Sequence, residues 1–148
     1  SVTVSPYMGV DSVEPFLKFS SKMVFVLALT SNVGSKDFQR LEFGGKPLFM
    51  HVVEKSRSWA EDEAVGFVVG ATHPDDLKQI RAAAPMNALL IPGVGAQGGD
   101  ARATIAANGK APAIINVSRD IIFAGQDADF ASAVRAKAEY YHRLLAIG

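Results

Sequence analysis

The chain has 148 residues, 49% of them apolar, and fifteen Lys and Arg residues balance fifteen Asp and Glu. That length can bury one ordinary domain core, and the even charge excludes a one-signed field that would recruit nucleic acid or an anionic membrane, so any bound anion must be held locally. The lack of cysteine excludes disulfides, thiolate metal sites and Cys nucleophiles, and it fits the reducing cytoplasm in which we expect the protein to work. No apolar run approaches about 18 residues, as a membrane-spanning helix requires, and the first residues lack the pattern of a secretion signal.

In chain order, Val2-Thr3-Val4 reads as a strand already under way with no Met before it, as in a piece of a longer chain. Asp11 to Glu14 ("DSVE") has the pattern of a capping box ahead of "PFLKF". The apolar run Met23 to Leu29 is a second strand, and the connection after it, Thr30 to Lys46, is the longest in the chain and is expected to be functional or mobile. Pro47 opens a helix over "LFMHVVEKSRSWA", after which Glu61, Asp62 and Glu63 form a solvated acidic turn. Val65 to Gly70 is a third strand, Thr72 to Asp75 offers a cap for "DLKQIRAAA", and Ala88 to Ile91 is a fourth strand. Asp100 caps "ARATIAAN", which Gly109 closes, and Ala113 to Val117 is the fifth strand. In the last helix Phe130, Val134, Ala138, Tyr141 and Leu145 form one stripe at helical spacing. The strands are continuously apolar rather than alternating, which predicts a parallel sheet covered on both faces, in one domain without a linker.

Five β-α units fit two architectures: a complete five-stranded doubly wound sheet, or part of a (β/α)8 barrel at about 31 residues per unit. Glycine placement separates them. In a barrel, phosphate is commonly held by the loops after the last two strands, and here those loops are "PGVGAQGGD" and "SRDIIFAG". A flavodoxin-like sheet places its phosphate loop after the first strand, where this chain has only "SPYMG".

Gly93, Gly95, Gly98 and Gly99 allow sharp turns and close backbone approach, so that successive N–H groups and the helix start near Asp100 can face phosphate oxygens. A glycine-rich turn without a ligand is the competing reading. Arg119 directly follows the fifth strand, where a guanidinium can form two charge-assisted bonds to a phosphate; the alternative is a surface pairing with Asp120 or Asp100. Thr30 to Ser35 stands at the end of the second strand, where short hydroxyl and amide groups can bond the polar edge of a heterocycle or simply build a loop. His51, His73 and His142 lie far apart without metal-ligand spacing, so no metal is expected. Phe130, Tyr140 and Tyr141 read as helix packing rather than a stacking platform.

Taken together, "LTSNVGS", "PGVGAQGGD" and "SRDI", each after a strand and in this order, resemble orotidine 5′-phosphate decarboxylase. The opening "VTVSPYMGVDSVEPFL" is similar to the longer bacterial subgroup of that family, and the resemblance covers essentially the whole chain. It implies a (β/α)8 TIM barrel that works as a homodimer and converts orotidine 5′-phosphate to uridine 5′-phosphate without a cofactor. It also implies that Gln97 bridges phosphate and pyrimidine, that Arg119 binds phosphate and that Ser31 contacts the pyrimidine amide edge, with Thr30 one residue away as the alternative. Pro92, Gly98 and Ser118 are expected to line the same pocket through their backbones.

One departure from the family stands out. Its chemistry rests on a Lys-Asp array carried largely by D-x-K-x-x-D at the end of the third strand, with one Asp donated across the dimer. The D-x-K in this chain, Asp76-Leu77-Lys78, falls in a predicted helix and has Arg81 where the second Asp should be. If Val2 to Val4 is barrel strand four, residues 1–148 are the C-terminal portion of one barrel, strands four to eight, and strands one to three lie upstream. The expectation is a chain that carries ligand recognition and lacks the catalytic array. The alternatives are another phosphate-binding barrel, such as a sugar-phosphate epimerase or decarboxylase, and a non-catalytic nucleotide-binding module.

Overall fold

The computed structural model describes residues 1–61 and 63–146, so Asp62 of the acidic turn lies outside the described residues. The elements run β1 (Val2–Val4), α1 (Val10–Leu17), β2 (Val24–Leu29), α2 (Ser35–Phe38), β3 (Glu42–Phe43), β4 (Lys46–Pro47), α3 (Leu48–Arg57), β5 (Val65–Val69), α4 (Pro74–Ala83), β6 (Leu89–Pro92), α5 (Ala101–Asn108), β7 (Ala113–Asn116), α6 (Arg119–Ile122) and α7 (Phe130–Leu145). The five long-range strands form one parallel sheet in the order β1-β2-β5-β6-β7.

That order decides between the two architectures. Every crossover steps one strand in the same direction, whereas a doubly wound sheet reverses direction once at its switch point. A sheet that never reverses is built as a barrel is, and all its strand C-termini share one edge.

Of the three inner strands, two meet the expectation of two covered faces, since β5 is buried at every residue and β2 at all but one, while β6 alternates between buried and half-buried. The outer strands do not. Along β7 burial alternates and Ile114 is 55% exposed, while Val2 of β1 is 38% exposed. Each outer strand has one neighbour in the sheet, so part of its apolar surface has nothing to pack against. Phe49 and Val53 of α3, Leu77 and Ile80 of α4, and Phe67, Leu89 and Ile91 of the sheet are fully buried together. Each contributes about 1.5–3 kcal/mol of burial.

Local signals were met unevenly. The Asp100 carboxylate accepts the Ala103 N–H at 2.7 Å, and Gly109, at φ 64°, closes α5 as expected. The capping box at Asp11 does not form: the chain turns at Gly9, φ 90°, so α1 starts at Val10 with Asp11 inside its first turn and Ser12 bonded back to the Gly9 carbonyl. Residue 73, rather than Thr72, precedes α4, with no side-chain cap; Pro74 opens the helix and Asp75 and Asp76 meet its positive end. The long connection after β2 is organised rather than open. Gly44 and Gly45, both at positive φ (59° and 79°), form the tight turn that folds β3 onto β4. The stripe on α7 is shorter than expected, because Phe130 is 55% exposed while Tyr141 is buried.

At the sheet edge opposite the strand C-termini, Arg81 of α4 is buried and meets carbonyl oxygens. It donates to Ala84 O and Asn87 O at 2.8 Å each, to Asn108 Oδ1 at 2.7 Å and to Pro112 O at 3.1 Å. One planar cation thereby ties α4, α5 and the turns into β6 and β7. Burial lowers its pKa from the usual arginine value, though a guanidinium remains charged. Replacing Arg81 by Met keeps the stem and orphans those acceptors. The expected loss is about 3 kcal/mol, measured as a lower urea midpoint at unchanged m-value.

Candidate functional site

The loop after β6 is shaped by close approach. Gly93 sits at φ 102°, and a Cβ there would stand 2.9 Å from Gln97 Oε1 and 3.0 Å from Ser31 Oγ. Gly99 packs against its own loop, with room denied to any side chain by Gly93 O at 2.6 Å and Ala71 Cβ at 2.7 Å. Gly95 N–H donates to Gly99 O, Gly98 N–H to Gly95 O and Gly99 N–H to Gly93 O. These bonds fold the loop on itself and correct one expectation. The amides of Gly95, Gly98 and Gly99 serve the loop, leaving those of Ala96 and Gln97 outside this internal bonding.

The start of α5 is likewise committed. The Asp100 carboxylate takes an N–H at that terminus and offsets its positive end, so this helix adds little to an anion site.

Beside the loop lies a cleft of about 70 Å³. Pro92, Gly93, Val94, Ala96 and Gln97 line one side, and Asn116, Ser118 and Arg119 line the other. Two loops far apart in sequence meet here because β6 and β7 are neighbours in register, with Pro92 opposite Asn116. Among the described residues no carboxylate pairs with Arg119. Asp120 is instead held by Tyr141 and Lys137, at 2.6 Å and 3.3 Å, and Asp100 caps its own helix. The surface-pair alternative for Arg119 is therefore not what the structure shows.

Ser31, at the end of β2, donates its hydroxyl hydrogen to Gln97 Oε1 in a short hydrogen bond. Gly70 makes room for it, since a Cβ there would lie 2.7 Å from Ser31 N. Thr30 points elsewhere: its N–H bonds Gln39 Oε1 at 2.8 Å and its hydroxyl meets Asn32 Oδ1 at 2.6 Å. Of the residues singled out in the sequence, Pro92, Gln97, Ser118 and Arg119 line the cleft and Ser31 reaches it through Gln97. Gly98 stands outside the lining, turned into the loop by its bond to Gly95.

Two features went unread in the sequence. Asn116 lines the cleft and accepts from the Ser118 hydroxyl at 3.1 Å. Tyr141, counted as packing, carries its hydroxyl to Asp120 Oδ2, one residue from Arg119. The i, i+4 spacing of Lys137 and Tyr141 on one face was the available signal. The Asp76-Leu77-Lys78 triplet does lie in α4, where Asp76 pairs with Arg40 at 2.5 Å and Lys78 with Asp75 at 3.4 Å.

The bond to Asp120 raises the Tyr141 pKa to about 12, and the same bond holds the Asp120 carboxyl below its ordinary value of 3.8. A raised tyrosine stabilises the fold fully below its unfolded pKa near 10, and that contribution is lost as pH climbs towards 12. A depressed carboxyl stabilises above 3.8, and that contribution is lost at lower pH. The stability gap between the parent chain and Tyr141→Phe should thus be constant near neutrality and narrow both above pH 10 and below pH 3.8. Urea midpoints across pH test this, and a gap that does not change with pH would contradict it.

The family model described as "Orotidine 5'-phosphate decarboxylase / HUMPS family" matches residues 1–134. The chain is 48% identical over 141 residues to the orotidine 5′-phosphate decarboxylase of Christiangramia forsetii, covering 94% of this chain and 52% of that protein. It is 47% identical over 146 residues to the enzyme of Dehalococcoides mccartyi, covering 93% and 54%. It superposes on Leishmania donovani UMP synthase with a TM-score of 0.82 at 41% identity, covering 97% of this chain and 32% of that one. With Leishmania donovani OMP decarboxylase the TM-score is 0.79 at 37% identity, over 97% and 56%. The chain spans about half the length of the curated relatives it matches, and its sheet is part of a (β/α)8 barrel. By sequence and by fold, the chain belongs to the orotidine 5′-phosphate decarboxylase family.

Proposed function

We propose that this chain is the C-terminal, ligand-holding portion of an orotidine 5′-phosphate decarboxylase and grips the nucleotide monophosphate of pyrimidine biosynthesis. The observation that carries the reading is the cleft between the Gly93 to Gln97 loop and Arg119, closed on its inner side by the Ser31–Gln97 hydrogen bond. Arg119, with which no carboxylate pairs among the described residues, supplies a cation for the phosphate, worth about 1.5–3 kcal/mol as a charge-assisted bond. The Gln97 amide nitrogen carries two N–H donors, so it can bond a phosphate oxygen and a pyrimidine carbonyl together, while Ser31, donating to Gln97 Oε1, fixes its orientation and meets the pyrimidine amide edge. Pro92 and Ser118 bound the pocket on either side. A sugar phosphate would use the Arg119 side and leave the Ser31–Gln97 pair without a ring to recognise, which favours the pyrimidine nucleotide over an epimerase substrate.

Decarboxylation needs a carboxylate set against the substrate's own and a lysine that protonates C6 as carbon dioxide leaves. The D-x-K-x-x-D pattern that supplies these groups in the family does not occur in the sequence. Binding without turnover is therefore the expected behaviour of the polypeptide alone. Calorimetry should show uridine 5′-phosphate bound more tightly than uridine or ribose 5-phosphate. Arg119→Ala should weaken that binding about 10- to 100-fold, and no loss of orotidine 5′-phosphate should occur over hours. Equal affinity in Arg119→Ala, or binding of the sugar phosphate alone, would contradict the recognition role; measurable turnover would contradict the division of labour.

The outer strands bear on partners. The half-exposed apolar edges of β1 and β7, left open by a partial barrel, favour association of this polypeptide with another chain, which is distinct from the homodimer that the family resemblance implies for the intact enzyme. Light scattering at rising concentration should give a mass above that of one chain, and a monodisperse monomer would count against it.

A further inference from the structure

We infer that Tyr141 is a positioning residue for the anion grip: its hydroxyl, through Asp120, sets the orientation of the single helical turn that carries Arg119. The inference rests on the phosphate role proposed for Arg119. The turn α6 has only four residues, none of them buried; Ile121 packs against the core, which seats the turn without fixing the direction of Asp120 and Arg119. That direction is fixed from α7. Tyr141 is 8% exposed, donates to Asp120 Oδ2 at 2.6 Å, and shares that carboxylate with Lys137 at 3.3 Å.

Adjacent residues on a helix point in different directions. Fixing the Asp120 side chain towards α7 therefore turns its neighbour Arg119 away from it, and Arg119 lines the cleft. The same hydroxyl lies close against the glycine loop, behind the cleft wall: a Cβ at Gly95 would lie 2.6 Å from Tyr141 Oη and 3.1 Å from Asp120 Cβ. One buried phenol thus stands between the glycine loop and the arginine turn, the two segments whose residues line the cleft. Tyr141 itself does not line the cleft, so it acts through Arg119 and the loop rather than on the ligand.

The test is a thermodynamic cycle on the 148-residue chain with uridine 5′-phosphate as probe and uridine as control. Tyr141→Phe keeps the ring and loses the donor. It should weaken uridine 5′-phosphate binding about tenfold, leave uridine binding unchanged, and add nothing to the loss already produced by Arg119→Ala. Asp120→Asn, which still accepts from the phenol, should retain most of the affinity, whereas Asp120→Ala should match Tyr141→Phe. Amide hydrogen exchange should speed up at residues 118–123 in Tyr141→Phe and stay unchanged in the central strands. Unchanged affinity for uridine 5′-phosphate in Tyr141→Phe, or a loss that adds in full to that of Arg119→Ala, would overturn the positioning role. No binding of uridine 5′-phosphate by the parent chain would instead remove the reading on which it rests.

Discussion

Everything at the candidate site depends on how closely the backbone at Gly93 approaches the end of β2. Residue 93 has φ 102° and no side chain, and only under those conditions do Ser31 Oγ and Gln97 Oε1 meet across the top of the sheet. Gly70 and Gly99 serve the same approach from below and behind, each with a backbone atom at 2.6–2.7 Å from where a Cβ would stand. The glycines do more to bring three strand ends together than to present amides to an anion. The positive charge comes from elsewhere, on the turn after β7.

The two edges of the sheet divide the work. At the strand N-termini, Arg81 and Asn108 satisfy carbonyls in the turns between α4, β6, α5 and β7, and the buried Asn87 donates to the Val65 carbonyl at the start of β5. That edge is closed, polar and devoted to holding elements in place. At the C-termini the polar groups are exposed or only half paired, as with Arg119 and Gln97, and the loops between them leave a cleft. Such a division is expected of a barrel, where stability is concentrated at one face and ligand chemistry at the other.

Much of this was legible in the residues. All five long-range strands were legible as short β-branched or apolar runs, and the caps of α5 were read correctly because Asp100 and Gly109 act locally. Barrel order followed from which loops held glycine, since periodicity alone cannot order strands. What misled were local patterns with stronger competitors. Gly9 set the start of α1 ahead of the Asp11 box, and the Gly44-Gly45 turn made a ribbon within what looked like a loop. At the site, Gly98 was drawn into the loop's own hydrogen bonding, and the terminus of α5 was already filled by Asp100. The tie from Tyr141 to Asp120 joins residues 21 apart whose meeting depends on how α6 and α7 pack, and no sequence pattern states that angle.

In the proposed reading, Ser31, the Gly93 to Gln97 loop and Arg119 form one ligand grip. It is tested most directly by following backbone amide resonances while uridine 5′-phosphate is added. Saturable shifts are expected at residues around Ser31, Gly93, Gln97 and Arg119, with smaller ones at Asp120 and Tyr141. Shifts centred instead on the apolar hollow beside Phe38 and Leu48, or no saturable shift at all, would contradict it.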